Sequence, residues 1–273
     1  MTSALPFRPK RPRLFVATSA IATVSLVFGL GAIWWRGWSA GDVSGLTFGT
    51  LAAVLMFTGA LYPFRRRLLI WPVATAQDWL QVHVYGSTLA ALFVLIHVGF
   101  RWPNGQFGWW LFGLSMWTTV SGLMGVGLQK WVPALLAAHL TVEAIYERIP
   151  ELIEQLQGEA ARTMEGASDV LQRFYDAQVQ PALAGLTPSW SYVLDVHRGR
   201  DQRLAPFEHL RSFVGDEDKQ RLVDLKAIVT EKLELEAHYS VQRALRLWPV
   251  LHVPPAVLLL AAVIVHVAAV WYY

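Results

Sequence analysis

The sequence predicts an all-α integral membrane protein, a bundle of five transmembrane helices with a helical cytoplasmic insertion between the fourth and the fifth. Three observations lead to this prediction. Apolar residues make up 54% of the 273 residues and charged residues only 16%, whereas about a quarter of the residues of a soluble domain are charged. Thirteen tryptophans are present, and their rings favour the boundary between membrane and water. Five apolar stretches are long enough to cross a bilayer.

The five predicted spans cover residues 14–34, 46–62, 80–100, 109–128 and 251–272. A helix needs about 20 residues to cross the hydrocarbon core, and each stretch approaches or exceeds that length. The first stretch follows a basic tail, as the core of a signal peptide does. Its apolar run is longer than the roughly 7–15 residues of such a core, so we expect it to be a retained anchor.

Charged residues divide the chain into two regions of opposite sign. Residues 129–250 hold 14 Lys and Arg against 18 Asp and Glu, and the rest of the chain holds 9 against 2. This predicts a membrane domain over 1–128, an acidic helical insertion over 129–250, and a fifth span over 251–273 that completes the bundle. The distribution argues against a nucleic-acid-binding protein. The lack of cysteine excludes disulfides, c-type haem attachment and cysteine-ligated iron–sulfur clusters.

Lys and Arg in the short connections predict the orientation. The amino-terminal tail carries four and the second connection carries Arg65, Arg66 and Arg67, whereas the first and third connections carry only Arg36 and Arg101. Basic residues concentrate on the cytoplasmic side. We therefore expect a multi-pass protein of the inner (cytoplasmic) membrane, with its amino terminus and residues 129–250 in the cytoplasm and Tyr273 outside.

Four of the eight histidines lie inside predicted spans and form two pairs with the same spacing. His83 and His97 are on the third span, and His252 and His266 are on the fifth. A separation of fourteen residues on an α-helix leaves two side chains about 40° apart around the axis and about 21 Å apart along it. Each helix therefore presents one imidazole near each side of the hydrocarbon core, on one face.

The predicted topology makes the third and fifth spans run in the same direction. His83 is then at the depth of His252 near the cytoplasmic side, and His97 is at the depth of His266 near the outside. Two facing imidazoles at one depth are what bis-histidine ligation of an iron porphyrin requires, and two such levels predict two haems. A haem-free role as polar residues that hold helices together stays open, since intramembrane histidines also serve packing. A metal-ion site fits less well because its ligands would meet at one point.

Other residues near the histidines allow two interpretations each. Small residues at positions Gly86, Ala90, Ala91 and Gly99 would let a flat macrocycle approach the third span, or would serve ordinary helix packing. Haem propionates need cations at the membrane boundary. The candidates are Arg101 outside and, inside, Arg67, Lys130 and Arg246, any of which could equally be topology or snorkelling charges.

The chain resembles the membrane di-haem b cytochromes, the broad group that includes cytochrome b561-like and ferric-reductase-like membrane domains. The resemblance rests on QVHVYGSTLAALFVLIHVGFRW at 81–102 and LHVPPAVLLLAAVIVHVAAVWYY at 251–273. It implies two non-covalent haem b groups that move electrons across the membrane, with His83, His97, His252 and His266 as the iron ligands. The flavin- and nicotinamide-binding domains that follow the spans of ferric reductases are missing, and the long insertion is not typical of the compact b561 arrangement.

These departures predict an electron-transfer subunit of a larger membrane oxidoreductase, surrounded by membrane lipid. Electrons would enter and leave through a quinol or through other subunits. Iron–sulfur or flavin proteins are expected inside and c-type cytochromes outside. Two alternatives stay open, a stand-alone quinol or ferric reductase and a haem-free membrane scaffold or transporter.

The insertion is predicted to be mostly helical, with helices over 131–157 and 160–182 and a long helix that starts at Asp216 and continues towards the fifth span. Gly185, Pro188 and Pro206 would mark a connecting loop. His139 with Glu143, one turn apart, are candidates for handling quinol protons. The alternative for them, as for His197, His209 and His238, is a partly exposed polar side chain.

Overall fold

The structure is a computed structural model, and it describes residues 11–66, 75–139, 146–189, 192 and 199–272. The described residues form helices and connections, with no strand among them. The chain divides into two compact units, unit 1 with Met1–Met124 and Val250–Tyr273, and unit 2 with Gly125–Pro249. The predicted boundaries lay at 128/129 and 250/251.

Five helices are long and apolar enough to cross a membrane. They are α1 (Pro12–Arg36), α2 (Val43–Ala60), α3 (Ala76–His97), α4 (Gln106–His139) and α9 (Asp216–Tyr272). Helices α1, α2 and α3 lie wholly in unit 1, and α4 and α9 contribute residues to both units. Each of the five predicted apolar stretches falls on one of these helices, so the sequence prediction of five membrane-length helices is confirmed.

The start of α3 is fixed by side chains that satisfy its first backbone N–H groups. Thr75 and Asp78 form a capping box, in which each side chain accepts a hydrogen bond from the backbone N–H of the other residue. Arg11, just before α1, forms a salt bridge of 2.7 Å with Asp78. The first and third helices are therefore tied together at this end of unit 1.

Helix α3 ends at His97, three residues before the predicted end at position 100. The chain leaves the helix through Gly99 and Phe100, both with positive φ (64° and 54°). This is the left-handed region in which helices commonly terminate. Gly99 also lies against Trp38, where a Cβ atom would come 2.6 Å from Cδ1 of the indole. The packing of Trp38 and the left-handed turn together require glycine here.

The small residues of the third span differ in their surroundings. Ala90 and Ala91 are buried in unit 1, and a Cβ atom on Gly86 would make an ordinary contact with Leu55 of α2. Nearby, Phe48 and Phe93 pack edge to face at a ring-centre distance of 5.4 Å. Ala90 and Ala91 thus take part in the packing of unit 1, and Gly86 is compatible with both interpretations of the small residues.

Helix α9 runs through Pro249, Pro254 and Pro255 without a break. The helix predicted from Asp216 towards the fifth span is therefore continuous with that span. Proline has no backbone N–H, so Pro255 leaves the carbonyl of Leu251 without its helical donor. The indole N–H of Trp117 on α4 donates to that carbonyl at 2.9 Å. A side chain of a neighbouring helix thus replaces the hydrogen bond that proline removes.

Unit 2 departs from the predicted helix boundaries. A helix over 131–157 was predicted, but α4 ends at His139, and a 3₁₀ turn (Tyr146–Arg148) leads into α5 (Ile149–Thr163). Pro150 in the first turn of α5 is compatible with a helix start and not with a helix interior. The helix predicted over 160–182 is also wrong, because the chain turns at Gly166, where φ is +74°. It resumes as α6 (Asp169–Phe174), a π-helical turn (Tyr175–Val179) and α7 (Gln180–Leu183).

The predicted connecting loop extended as far as Pro206, and the structure corrects this. Pro206 lies inside α8 (Arg200–Leu210), where the loss of one helical hydrogen bond is tolerated. The next residue, Phe207, is buried and packs edge to face on Phe174, which holds the helix against the core of unit 2. That core is apolar and brings together α5, α6, α7, α8 and α9; its fully buried members include Ile149, Ala160, Leu171, Val179, Leu225 and Leu235.

Lys232 and Glu236 form a buried ion pair within unit 2. Lys232 and Glu236 are only 2% and 0% exposed, and the Lys232 ammonium donates to the Glu236 carboxylate at 2.6 Å. Arg203 of α8 donates to the other carboxylate oxygen at 3.2 Å, and the backbone N–H of Thr187 donates at 2.9 Å. Burial, with the nearby Glu236 carboxylate, raises the pKa of Tyr192. Glu236 therefore joins α8 and the chain near Thr187 to α9.

Removal of the Glu236 carboxylate should destabilise unit 2 strongly. Glu236→Ala leaves the Lys232 charge buried without a partner, which costs about 3–5 kcal/mol. The matched control is Glu208→Ala, because Glu208 also pairs with a lysine, Lys226, but at an exposed position. Hydrogen exchange of the Leu225 and Leu235 amides in the full chain measures the effect. Equal protection in the two variants would contradict the prediction.

Candidate functional site

Unit 1 brings the four intramembrane histidines together in two pairs. The ring centres of His83 and His252 are 6.3 Å apart, and those of His97 and His266 are 6.4 Å apart. The planes within each pair are nearly perpendicular, at 86° and 76°. Because position 83 faces 252 and position 97 faces 266, α3 and the last part of α9 run in the same direction past each other. The residues pair as their spacing predicted.

The separation within each pair matches the geometry of a shared metal ion. Two imidazoles that bind one metal ion from opposite sides, each through a metal–nitrogen bond of about 2.0–2.1 Å, have ring centres roughly 6.3 Å apart. Perpendicular ring planes are compatible with this arrangement, because each ring can rotate about its own metal–nitrogen bond. Both pairs in unit 1 therefore have a spacing at which an ion fits between the rings.

Hydrogen bonds to α2 fix the tautomer of both histidines on α3. Nδ1 of His83 donates to the carbonyl oxygen of Gly59 at 2.9 Å, and Nδ1 of His97 donates to that of Gly45 at 2.8 Å. A carbonyl oxygen only accepts, so the proton of each neutral ring is on Nδ1 and Nε2 carries the lone pair. Metal-binding histidines in proteins usually have this second interaction, which orients the ring and raises its basicity as a ligand.

The Gly59 carbonyl is available because of the sequence that follows it. In a continuing helix this oxygen would accept from the N–H of residue 63, which is proline. The ring of Tyr62 in the same turn stacks on His83 at a ring-centre distance of 5.1 Å. The end of α2 thus supplies both a hydrogen-bond acceptor and a flat apolar surface for His83.

On α9, His252 has a side-chain partner, Ser121, as well as a backbone partner, the carbonyl of Thr118. Nδ1 of His252 and the hydroxyl oxygen of Ser121 on α4 are 3.0 Å apart, and the same hydroxyl donates to the carbonyl of Thr118 at 3.2 Å. With its proton used in that bond, the Ser121 oxygen accepts from Nδ1–H. Nε2 of His252 then carries the lone pair, as in His83 and His97.

Glycines let the neighbouring helices approach the histidine rings. A Cβ atom on Gly49 would lie 2.9 Å from Cε1 and Nδ1 of His97, and one on Gly122 would lie 3.2 Å from Cε1 of His252. Gly59, whose carbonyl binds His83, is also approached by that ring, with 3.4 Å from a Cβ to Nδ1. Three of the four rings therefore lie directly on the backbone of a neighbouring helix.

The residues of α2 that hold the histidines were missed in the sequence analysis, although a signal exists. Gly45 and Gly59 are separated by fourteen residues, as are His83 and His97, and α2 runs antiparallel to α3. A search for the same spacing on a neighbouring span would have found this glycine pair. Ser121 has no such signal, because serines on apolar helices are common and their neighbours are not visible in a sequence.

Three of the four cations predicted as partners of haem propionates, Arg101, Lys130 and Arg246, lie among the described residues. Arg101 lies exposed in the turn after α3, four residues beyond His97. Arg67 lies outside the described residues. Lys130 and Arg246 belong to unit 2, where Arg246 bonds the carboxylate of Glu147 at 2.5 Å and lies over the ring of Tyr146.

Of the other histidines, His209 and His238 have described side chains, and both belong to unit 2. Glu143, His197 and the side chain of His139 lie outside the described residues, so the predicted proton-handling pair stays a prediction. His209 is exposed, as expected. His238 is buried at 6% exposure, against the expected partial exposure, and Gln242 binds its Nδ1 at 2.7 Å.

The donor set of the two pairs fits a porphyrin. Each pair offers two imidazole nitrogens, and a metal ion held by them alone would lack most of its ligands. Among the described residues there is no group of three or more His, Asp or Glu side chains that could hold a metal ion. An iron porphyrin brings four nitrogens of its own and needs two axial ligands, which is the number that each pair supplies.

Comparisons with protein-family models, with curated proteins and with solved structures gave no match for this chain.

The contact between Gly49 and His97 predicts a specific effect of adding one methyl group. In Gly49→Ala the ring must move away from α2 and lose its bond to Gly45, so we expect a loss of about 1–3 kcal/mol of stability. Gly113→Ala is the matched control, because a Cβ atom there meets nothing within 4 Å, and alanine in a helix is up to about 1 kcal/mol better than glycine. Thermal unfolding in detergent compares them, and a lower midpoint for Gly113→Ala than for Gly49→Ala would refute this interpretation.

Proposed function

We propose that this protein is a di-haem b-type cytochrome subunit that carries electrons across a membrane. The observation that carries the proposal is the presence of two imidazole pairs with ring centres 6.3 and 6.4 Å apart. Three of the four rings also have their Nδ1 atoms bound by the protein. A haem iron held in this way supplies a one-electron redox couple.

The role of the chain in this function is to ligate, orient and space the two groups. His83 with His252 would hold the inner haem, and His97 with His266 the outer one. The carbonyls of Gly59 and Gly45 hold the Nδ1 side of each α3 histidine, so Nε2 is the nitrogen that would bind iron. The fourteen-residue spacing sets the two levels about 21 Å apart along the helices, so together they would cover most of the hydrocarbon core.

The membrane placement is part of the proposal. The five apolar helices of the structure support insertion. The seven basic residues of the tail and second connection, against two in the others, support a cytoplasmic amino terminus in the inner membrane. Arg101, near the outer pair, is the proposed cation for an outer propionate, and Arg67 is proposed for an inner one.

Electrons would enter and leave through partners. Iron–sulfur or flavin proteins on the cytoplasmic side, c-type cytochromes outside and a membrane quinol are the proposed classes. One observation favours a quinol at the inner level. The side-chain oxygen of Gln81, two residues before His83, is buried without a hydrogen-bond partner among the described residues. A quinol hydroxyl is a donor that could satisfy it.

Haem content tests the proposal directly. The purified protein should show the sharp α-bands of low-spin b haem when reduced, and pyridine haemochrome should give two haems per chain. Single replacement of any of the four histidines by alanine should leave one haem. His209→Ala, at an exposed position in unit 2, should keep two.

Double variants test the pairing itself. His97→Ala with His266→Ala removes both ligands of one level, so the second change should cost no further haem. His83→Ala with His97→Ala damages both levels and should leave none. A colourless wild-type protein would support the scaffold or transporter alternative, and loss of both haems from either member of one pair would contradict the level assignment.

A quinol assay separates an electron-transfer subunit from a stand-alone reductase. The haem-loaded chain in vesicles, given decylubiquinol and a ferric chelate, should show haem reduction without sustained turnover, because the acceptor site belongs to a partner. Steady ferric reduction that depends on the chain would favour the stand-alone quinol or ferric reductase. The same vesicles with His97→Ala serve as the control for electron flow through the outer level.

A further inference from the structure

The two histidine pairs differ in how firmly the protein holds them. We infer that His266 is the replaceable member of the four histidines, and that the outer pair is a binding site for a small neutral diatomic ligand such as carbon monoxide. The inference rests on the proposed haem function. It also assigns Ser121 as the positioning residue that keeps the inner pair closed to such a ligand.

At the inner level, α4 anchors both the ring and the backbone of the α9 histidine. Ser121 and the carbonyl of Thr118 both bond the ring of His252, and Trp117 donates to the carbonyl of Leu251, the residue just before it. The glycine at position 122 allows close contact with the His252 ring. On the opposite side, His83 is fixed by Gly59. Both inner ligands are therefore oriented before any group binds between them.

At the outer level, only the α3 histidine is anchored. His97 donates to Gly45, and its own backbone carbonyl accepts from the indole N–H of Trp38 at 3.0 Å. For the His266 ring, in contrast, no hydrogen bond is found within the described part of the chain. Its neighbour on α4 is Phe107, with ring centres 6.4 Å apart.

The register of α4 explains the difference. Phe107 precedes Ser121 by fourteen residues, and His266 follows His252 by fourteen, so Phe107 occupies at the outer level the position that Ser121 occupies at the inner one. Glycines follow both, at 108 and 122. The two levels are thus built alike on α4 except that a phenyl ring, which offers no oxygen, replaces the hydroxyl.

The class of ligand follows from the surroundings. The outer pair lies between apolar helices, so a neutral diatomic molecule that dissolves in hydrocarbon reaches it more easily than an anion. Binding exchanges one neutral donor, the His266 imidazole, for another, so no electron or proton is transferred. Loss of a group that orients a metal ligand typically weakens binding by about 10- to 100-fold, and His266 lacks such a group.

Carbon monoxide titration of the reduced full-length protein, followed by difference spectra, tests the inference. We expect one carbon monoxide per chain, at the outer haem. Phe107→Ser places a hydroxyl beside His266 and should weaken carbon monoxide binding at least about tenfold, whereas Phe107→Ala should not. Ser121→Ala leaves the Thr118 carbonyl as the remaining partner of the His252 ring and should open a second, weaker binding phase at the inner haem. Ser121→Thr, which keeps the hydroxyl, should restore the wild-type titration.

Ser115→Ala is the matched control for Ser121→Ala, because both serines are on α4 and each is 4% exposed. It should titrate as wild type does. A reduced protein that binds no carbon monoxide, that binds it equally at both haems, or whose titration Ser121→Ala leaves unchanged would overturn the inference while leaving the haem function intact. A preparation without haem spectra would instead overturn the proposed function itself.

Discussion

The hydrogen bonds from Nδ1 of His83 and His97 to the glycine carbonyls of α2 are the interactions on which the candidate site depends. Each one fixes a ring at its second nitrogen and so determines where Nε2 and its lone pair lie. They require α2 to lie close to α3, and this close approach is possible because glycine occupies the contact positions. Helix packing in unit 1 and the chemistry of the site are therefore set by the same few residues.

A spacing of fourteen residues recurs on all four helices around the histidines. It separates Gly45 from Gly59 on α2, the two histidines of α3, Phe107 from Ser121 on α4, and the two histidines of α9. Fourteen residues come within about 40° of four whole helical turns, so one face of each helix meets two levels in the same way. Such a spacing on one helix is easily accidental, but on four packed helices it indicates that the two histidine pairs have similar arrangements of neighbouring residues.

The sequence predicted the parts of this structure that depend on one helix at a time. Spans follow from apolar length, and the ring pairs follow from a spacing and a direction. The anchors at Gly45, Gly59 and Ser121 were not predicted, because α2 and α4 are apolar on all sides and their pattern does not show which face meets α3 or α9. In unit 2 the failures have a different cause. Pro150, Gly166 and Pro206 each act through local backbone geometry that apolar periodicity does not report.

Two prolines explain why the inner histidine pair has more hydrogen-bond anchors than the outer pair. Pro63 removes the donor that a continuing helix would give the Gly59 carbonyl, which the N–H of Leu61 approaches instead. Pro255 removes the helical donor of the carbonyl of Leu251. His83 donates to the first oxygen and Trp117 to the second. A vacated carbonyl in an apolar helix needs a donor, since an unpaired polar group there costs several kcal/mol (about 2–7). Each of these hydrogen bonds therefore satisfies a backbone carbonyl as well as the side-chain N–H that donates to it.

At the outer level the Gly45 carbonyl has a helical donor in the N–H of Gly49. The bond from His97 is therefore added to a carbonyl that is already paired. The difference in hydrogen-bond anchoring between the two histidine pairs thus follows from the positions of Pro63 and Pro255 in the sequence.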